Sequence, residues 1–140
     1  MNVYKFKSPY NADGHTNFRH MAGRTGVYII KEDNRIVYIG YSGKNLYRTL
    51  YRHFQHWNHP EQEVVTYKSR LRVHRYTVRV VAATAQQAAA LEKALILKYR
   101  PRDNELKYQA YLQQLDTKTK RYTAQVSDQY FNSPAEDCPY

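Results

Sequence analysis

The chain has 140 residues, the size of one ordinary domain with a single core. It carries 22 Lys and Arg against 12 Asp and Glu, for a net charge of +10, and it contains 15 tyrosines. Cationic and aromatic side chains that alternate along a chain suit a polyanion whose bases can stack, although a merely basic protein has the same composition. The single cysteine, Cys138, excludes an internal disulfide and a cysteine-based zinc site.

The sequence divides into three parts. Residues 1–24 are polar with scattered aromatics, residues 25–104 contain clear strand and helix patterns, and residues 105–140 contain short tyrosine-rich and basic pieces. We expect one domain, with its core at about 25–104 between a lead-in and an extension that could add a helix or an edge strand. No stretch looks like a signal peptide or a membrane-spanning helix, so we expect a cytoplasmic protein that does not span membranes.

Two β-branched runs, GVYIIK from Gly26 and RIVYIG from Arg35, predict a hairpin with EDN between its strands. A two-residue turn would put Tyr28 and Tyr38 on opposite faces, whereas a three-residue loop would pair them directly. We expect the three-residue loop, because it gives the hairpin one wholly aliphatic face. That face would contain Val27, Ile29, Val37 and Ile39. The two tyrosines would share the other face, as an ordinary aromatic pair or as part of a site.

A helix, a strand and a second helix follow the hairpin. Ser42 or Asn45 can cap the first helix, which would end before Pro60. Its apolar residues at helical spacing are Leu46, Leu50, Phe54 and Trp57. The stretch HRYTVRVVAA predicts a third strand with Val78 and Val80 on one side. The order β-β-α-β-α predicts an α+β fold with helices packed on the sheet.

The second predicted helix carries a carboxylate among apolar residues. Thr84 and Gln87 match a capping box, and the helix would end near Tyr99, before Pro101. On a helical wheel Glu92 lies within the apolar arc. That arc consists of Ala88, Leu95, Ile96 and Tyr99. A buried carboxylate needs a cation, a metal or several donors, so an ion pair with an arginine and a role as metal ligand both stay open.

Several short motifs follow one another in a fixed order over residues 26–104. They are GVY at 26–28, YIG at 38–40, a loop with Ser and Asn, a basic helix, a helical Glu, and Pro101 followed by Asn104. This set resembles the GIY-YIG nuclease family. The resemblance implies a small three-stranded antiparallel sheet flanked by helices, and an endonuclease that hydrolyses DNA phosphodiesters with one divalent ion, Mg²⁺ or Mn²⁺. It assigns the motif tyrosines to Tyr28 and Tyr38, the metal-binding carboxylate to Glu92 and the downstream asparagine to Asn104.

The sequence departs from the family pattern at the expected arginine. Thr49 stands four residues after Asn45, where the family usually has the arginine, whereas a count from the end of YIG gives Arg48. Arg52 lies one helical turn beyond Arg48. We favour Arg52 slightly, because it adjoins His53 at the border of the apolar face, where a catalytic partner could lie.

These groups suit metal-assisted hydrolysis of a phosphodiester. One carboxylate suffices for Mg²⁺ or Mn²⁺, because water and phosphate oxygens complete the coordination. Tyr28 is the expected base, with a phenolate that nearby cations favour, and Tyr38 would contact the water or the phosphate. Arg48 or Arg52 would stabilise charge on the phosphate, and Asn104 would orient the site.

A basic run before and within the third strand predicts contacts with duplex or branched DNA outside the site. The expected contact residues are Lys44, Lys68, Arg70, Arg72, Arg75 and Arg79. Alternation in KSRLRV would place several of them on one side if the segment is extended. Two other interpretations stay open: a nucleic-acid-binding module of this fold that has lost cleavage, which the departure at Thr49 favours, and a basic RNA-binding structural protein.

Overall fold

The structure, a computed structural model, describes residues 1–56 and 64–126. Within this part of the chain, one antiparallel sheet contains β1 (Asn2–Val3), β2 (Gly26–Glu32), β3 (Arg35–Ser42) and β4 (Tyr76–Ala82). The strand order is β1-β4-β2-β3, so β3 forms one edge. The α+β fold and its three main strands are confirmed, and the lead-in adds a short fourth strand that the sequence analysis did not predict.

The hairpin turn is shorter than the predicted three-residue loop. Glu32 pairs with Arg35, so Asp33 and Asn34 alone form the turn. Both have positive φ angles, 49° and 68°, which is the geometry of a type I′ turn that matches the twist of the flanking strands. Without a further irregularity, this turn would place the two motif tyrosines on opposite faces of the sheet.

A β-bulge in β3 restores the shared face. Val37 is the extra residue that the pairing with β2 skips, and the register shifts there by one. Tyr28 therefore lies opposite Gly40, and Tyr38 lies opposite Ile30. The predicted direct pairing of the tyrosines is wrong, yet both lie on one face. Val37 packs in the core on the tyrosine side, and not on the aliphatic side where we expected it.

The described residues form four α-helices, namely α1 (Leu46–Tyr51), α2 (Ala85–Tyr99), α3 (Glu105–Gln113) and α4 (Thr117–Gln125). The Asn45 side chain caps α1 by accepting a hydrogen bond from the Arg48 backbone N–H at 3.2 Å. A 3₁₀ turn, Arg52–Phe54, follows α1, so this helix is shorter than predicted. The predicted positions Trp57 and Pro60 lie outside the described residues.

The capping box predicted for α2 is present. The Thr84 hydroxyl accepts from the Gln87 backbone N–H, and the Gln87 side chain accepts from the Thr84 N–H, each at 3.1 Å. The helix ends at Tyr99, and Arg100 takes a left-handed φ of 44° before Pro101. Both ends therefore agree with the prediction.

The sheet separates two core clusters. One contains Val27, Ile29 and Ile39 from the sheet together with the apolar face of α2. The other contains Tyr28, Val78, Val80 and the apolar residues of α1, with several further tyrosines. As predicted, Val78 and Val80 share a face. Within residues 1–56 and 64–126, none of the helices has the length and apolar character needed to cross a bilayer.

Candidate active site

The side chain of Tyr28 crosses the backbone of β3 at Gly40. A Cβ atom at position 40 would lie 2.3 Å from the Tyr28 hydroxyl oxygen and 2.4 Å from its Cζ. The phenol therefore occupies space that any side chain at position 40 would fill. The Tyr38 ring stacks beside it, with ring centroids 6.1 Å apart. The absence of a side chain at Gly40, the glycine of YIG, thus leaves room for Tyr28, the tyrosine of GVY.

His53 lies against both tyrosines. Its Nε2 atom is 2.7 Å from the Tyr28 hydroxyl oxygen, and its Nδ1 atom is 2.7 Å from the carbonyl oxygen of Val65. Because a carbonyl oxygen can only accept, Nδ1 carries the proton, and the bare Nε2 accepts from Tyr28. Burial lowers the pKa of His53 to about 4. The imidazole is therefore neutral near pH 7.

Burial also raises the pKa of both phenols. For Tyr28 the shift is large, since its side chain is wholly enclosed; the charges of Tyr38 and Glu92 add to it, and that of Arg52 opposes it. Burial likewise raises the pKa of Tyr38, against the opposing charge of Lys107. These shifts favour a neutral phenol at Tyr28 that donates to His53, and not the phenolate that we expected.

Glu92 is fully buried, at 0 % exposure, as its position on the helical wheel predicted. The Tyr111 hydroxyl donates to Oε1 at 2.6 Å, and the Lys107 ammonium contacts Oε2 at 3.3 Å. Burial raises the pKa of Glu92, while Lys107 and Tyr111 act to lower it. The sequence left open an ion pair between Glu92 and an arginine. The observed partners of Glu92 are instead a lysine and a tyrosine of α3.

Asn104 fixes the edge strand at the site. Its Oδ1 accepts from the Ile39 N–H at 2.7 Å, and its Nδ2 donates to the Ile39 carbonyl oxygen at 3.0 Å. The side chain is buried, at 2 % exposure. Ile39 lies between Tyr38 and Gly40, so the two bonds suit an orienting role.

A cavity of about 920 Å³ brings most of these groups together. Its lining includes Tyr28, Tyr38, Arg52, His53, Asn104 and Lys107. Glu92 lies behind Lys107, close enough for its charge to add to the burial that raises the pKa of both tyrosines. Residues from both faces of the sheet thus meet at the β3 edge.

The two candidate arginines take different positions. Arg52 lines the main cavity, and its positive charge acts on both Tyr28 and His53. Arg48 is exposed and lines a neighbouring cavity of about 470 Å³, to which Arg52 also contributes. Thr49 stands in the lining of the main cavity and donates to the Ser42 hydroxyl oxygen at 3.1 Å. This geometry favours Arg52 as the arginine of the site.

The Glu92 carboxylate could bind a divalent ion if the Lys107 side chain adopted another conformation. The Glu92 carboxylate is a hard oxygen ligand next to a residue that lines the cavity, and water and phosphate could complete the coordination. In this structure, however, a lysine ammonium already contacts Oε2. A divalent ion therefore fits Glu92 once that ammonium has moved away.

A second acidic group lies at the hairpin tip. Within the described residues, ligand atoms of Glu32, Asp33 and His74 lie within 4.8 Å of one another. Glu32 already accepts hydrogen bonds from Arg70 at 2.9 Å and from Arg102 at 3.0 Å. Two guanidinium groups thus neutralise this carboxylate, so the cluster is an ion-pair network and a poor cation site.

The predicted basic surface is only partly at the surface. Lys44, Lys68, Arg72 and Arg75 are exposed. Arg70 is paired with Glu32, and Arg79 is 4 % exposed with its guanidinium 4.5 Å above the Phe6 ring. KSRLRV is not extended, because Lys68–Arg70 form a 3₁₀ turn, so the condition under which its cations would share one side is not met. Arg79 therefore does not belong to a surface that DNA could contact.

Sequence reasoning missed Lys107 and Tyr111. Their spacing of four residues puts both on one face of α3, and this shared face could have been predicted from the sequence. Nothing in that spacing identifies Glu92, on another helix, as their shared partner.

Residues 24–109, more than half of the chain, match the family model of the GIY-YIG catalytic domain. The protein is thus of the nuclease class. Within that class it belongs to the GIY-YIG family, which its motifs had indicated. Searches of curated proteins and of solved structures each found no significant match.

Proposed function

We propose that this protein is an endonuclease that hydrolyses DNA phosphodiester bonds with one divalent ion, Mg²⁺ or Mn²⁺. The proposal is supported above all by the hydrogen bond from Tyr28 to a neutral His53 at the wall of a cavity that Arg52 also lines. A proton acceptor, a cavity large enough for a phosphate and a permanently charged guanidinium are groups that assist the attack of water on a phosphate.

Tyr28 and His53 would act together on the attacking water. A free phenolate is unfavourable at Tyr28, because burial raises its pKa. If Tyr28 takes a proton from water while it gives its own to Nε2 of His53, the phenol stays neutral throughout. The proton then rests on the imidazole. Burial, which lowers the pKa of His53 to about 4, opposes the imidazolium, and a phosphate in the cavity would favour it by its opposite charge.

Arg52, Tyr38 and Glu92 would serve the phosphate and the ion. Arg52 is a permanently charged donor suited to the charge that builds on the phosphate oxygens. Tyr38, stacked beside Tyr28, would hold the water or the phosphate in line. Glu92 would hold the divalent ion, which when bound would polarise the phosphate and stabilise the leaving oxygen.

DNA would extend from the main cavity across the neighbouring one. That second cavity combines the exposed Arg48 with the rings of Tyr10 and Tyr47, a mixture that suits phosphate and base contacts. Exposed cations such as Lys44 and Arg72 would add contacts with duplex or branched DNA. A cytoplasmic location is part of this proposal, since a single cysteine suits a reducing compartment.

Two observations favour a second candidate function, a DNA-binding module without cleavage. Thr49 stands where the family usually has its arginine, and Lys107 contacts the carboxylate that would hold the ion. Both features would appear in a domain that has kept the fold and the basic surface after losing hydrolysis.

An incubation with plasmid and with labelled branched DNA separates the two candidates. We expect the purified protein to nick at least one substrate when Mg²⁺ or Mn²⁺ is present and to leave it intact in EDTA. Glu92→Gln should bind DNA without cutting it, and Lys120→Met, an exposed change on α4, should cut normally. DNA binding without nicking of any substrate would support the non-cleaving module.

A further inference from the structure

We infer that Lys107 is a resident competitor of the divalent ion: its ammonium neutralises Glu92 until the ion binds, and it then turns to the substrate phosphate. The inference rests on the proposed function, since it concerns the same carboxylate. It gives Lys107 two alternating partners, one on each side of the site.

The first step concerns the charge of Glu92. This carboxylate is 0 % exposed, and a carboxylate so deeply buried requires a compensating charge. Tyr111 satisfies Oε1 as a neutral donor, so it supplies no charge. Lys107 supplies the positive charge at Oε2, at 3.3 Å. The lysine thus performs for the apo protein what a metal ion would perform for the loaded one.

The second step concerns exclusion. A Mg²⁺ ion bound to Oε2 would lie about 2 Å from that oxygen and therefore within about 5 Å of the Lys107 nitrogen. Two cations at that distance repel each other, and the repulsion is strongest when both contact the same buried carboxylate. The hydroxyl of Tyr111 carries no charge and can keep its bond to Oε1. Binding of the ion therefore displaces Lys107 and leaves Tyr111 in place.

The third step concerns where the ammonium goes. The Lys107 side chain is 45 % exposed, so rotation of its flexible stem is enough to release it. The same residue lines the main cavity, and its nitrogen lies 5.9 Å from the centre of the Tyr41 ring. A displaced ammonium therefore enters the space in which a phosphate would lie. Asn104 anchors the start of α3 to β3, so the helix itself need not move.

The test uses Lys107→Met, with Lys120→Met as the matched loss of charge on α4. Without DNA, Mn²⁺ binding is measured by electron paramagnetic resonance of the free ion. We expect Lys107→Met to bind Mn²⁺ about tenfold more tightly than the unaltered protein, since its competitor is gone. Lys120→Met should be unchanged, and adding Glu92→Gln to either variant should remove the binding.

DNA affinity supplies a second readout with the opposite sign. In Ca²⁺, chosen to limit cleavage, Lys107→Met should bind a short duplex severalfold more weakly than Lys120→Met does. Loss of a residue that merely holds α3 against α2 would not raise the affinity for Mn²⁺ while it lowers the affinity for DNA. If Lys107→Met fails to fold, Lys107→Arg is used, and we expect its guanidinium, which can bind the carboxylate through two N–H groups, to compete better and so to weaken Mn²⁺ binding.

Mn²⁺ affinity that is unchanged or lower in Lys107→Met overturns the inference, as does absence of Mn²⁺ binding in every variant. If Lys107→Arg is used in place of Lys107→Met, an unchanged Mn²⁺ affinity in Lys107→Arg also overturns the inference. The readouts need no cleavage. Tighter Mn²⁺ binding in a protein that never cuts DNA would sink the proposed function alone, whereas metal-dependent cutting with unaltered Mn²⁺ affinity would sink this inference alone.

Discussion

The Tyr28 hydroxyl donates to Nε2 of His53 across 2.7 Å, while Nδ1 of the same ring donates to the Val65 carbonyl oxygen. The backbone thereby selects the tautomer that can receive a proton from the phenol. A mechanism in which the phenol relays a proton therefore needs no rearrangement of these two side chains.

Tyr28→Phe should lower kcat about 10²- to 10⁴-fold, because the relay loses its hydroxyl while the ring still packs over Gly40. DNA affinity should change less than about twofold, since the lost group faces His53. Single-turnover cleavage and fluorescence anisotropy measure the two quantities. Tyr108→Phe on α3 is the matched control, and similar kcat values for both variants would exclude the relay.

The buried imidazole makes stability depend on pH. Burial lowers the pKa of His53 to about 4, so between pH 6.5 and 4 the unfolded chain binds a proton that the folded chain does not. Stability is therefore lost as pH falls through this window. Between pH 7 and pH 5, the free energy of unfolding of the metal-free protein should fall by about 2 kcal/mol more than that of His53→Gln. Urea unfolding at each pH measures both values. Parallel losses in both proteins would contradict a neutral His53.

Arg52→Ala and Arg48→Ala should differ in kind. Arg52 lines the main cavity, so its loss should lower kcat about 10²-fold or more. Arg48 lines the neighbouring cavity, so its loss should weaken DNA binding and leave single-turnover kcat within about threefold. Small and equal losses of kcat in the two variants would remove both arginines from the chemistry.

Gly40→Ala should displace the phenol that crosses it. The new Cβ would lie 2.3 Å from the Tyr28 hydroxyl oxygen, so the ring must move. We expect a loss of about 2 kcal/mol in the free energy of unfolding and a drop in kcat of at least about 10²-fold. Gly43→Ala is the control, since its Cβ would meet Ala85 at an ordinary 3.4 Å. Full activity in Gly40→Ala would mean that Tyr28 can work from another position.

Salt dependence should distinguish exposed arginines from buried ones. Arg72→Ala should reduce the slope of log affinity against log salt concentration by about 0.9, the share of one phosphate contact on duplex DNA. Arg79→Met should leave the slope unchanged, because Arg79 is 4 % exposed and packs against the Phe6 ring. Titrations at several salt concentrations give both slopes, and a reduced slope in Arg79→Met would place that residue on the DNA surface after all.

Short-range patterns predicted the elements that short-range forces determine. Alternation gave β4, and the Thr84 capping box gave the start of α2, because each depends on neighbouring residues alone. The buried position of Glu92 also followed from one helix period.

The remaining features depend on contacts between distant segments. The extra residue at Val37 follows from which side chains the rest of the fold buries, and a hairpin sequence does not contain that choice. The engagement of Glu92 by Lys107 joins two helices whose packing depends on the whole fold. For the same reason Arg79, which we expected to contact DNA from its strand, packs instead against Phe6, an aromatic residue of the lead-in.

The amide of Asn104 also has a consequence for self-association. β3 is an edge strand, and its outward N–H and C=O groups could template a further strand from a second molecule. At Ile39 one side chain occupies both groups, as a neighbouring strand would. Asn104 thus satisfies the edge-strand backbone groups beside the cavity. These groups are then not free to pair with a strand of a second copy.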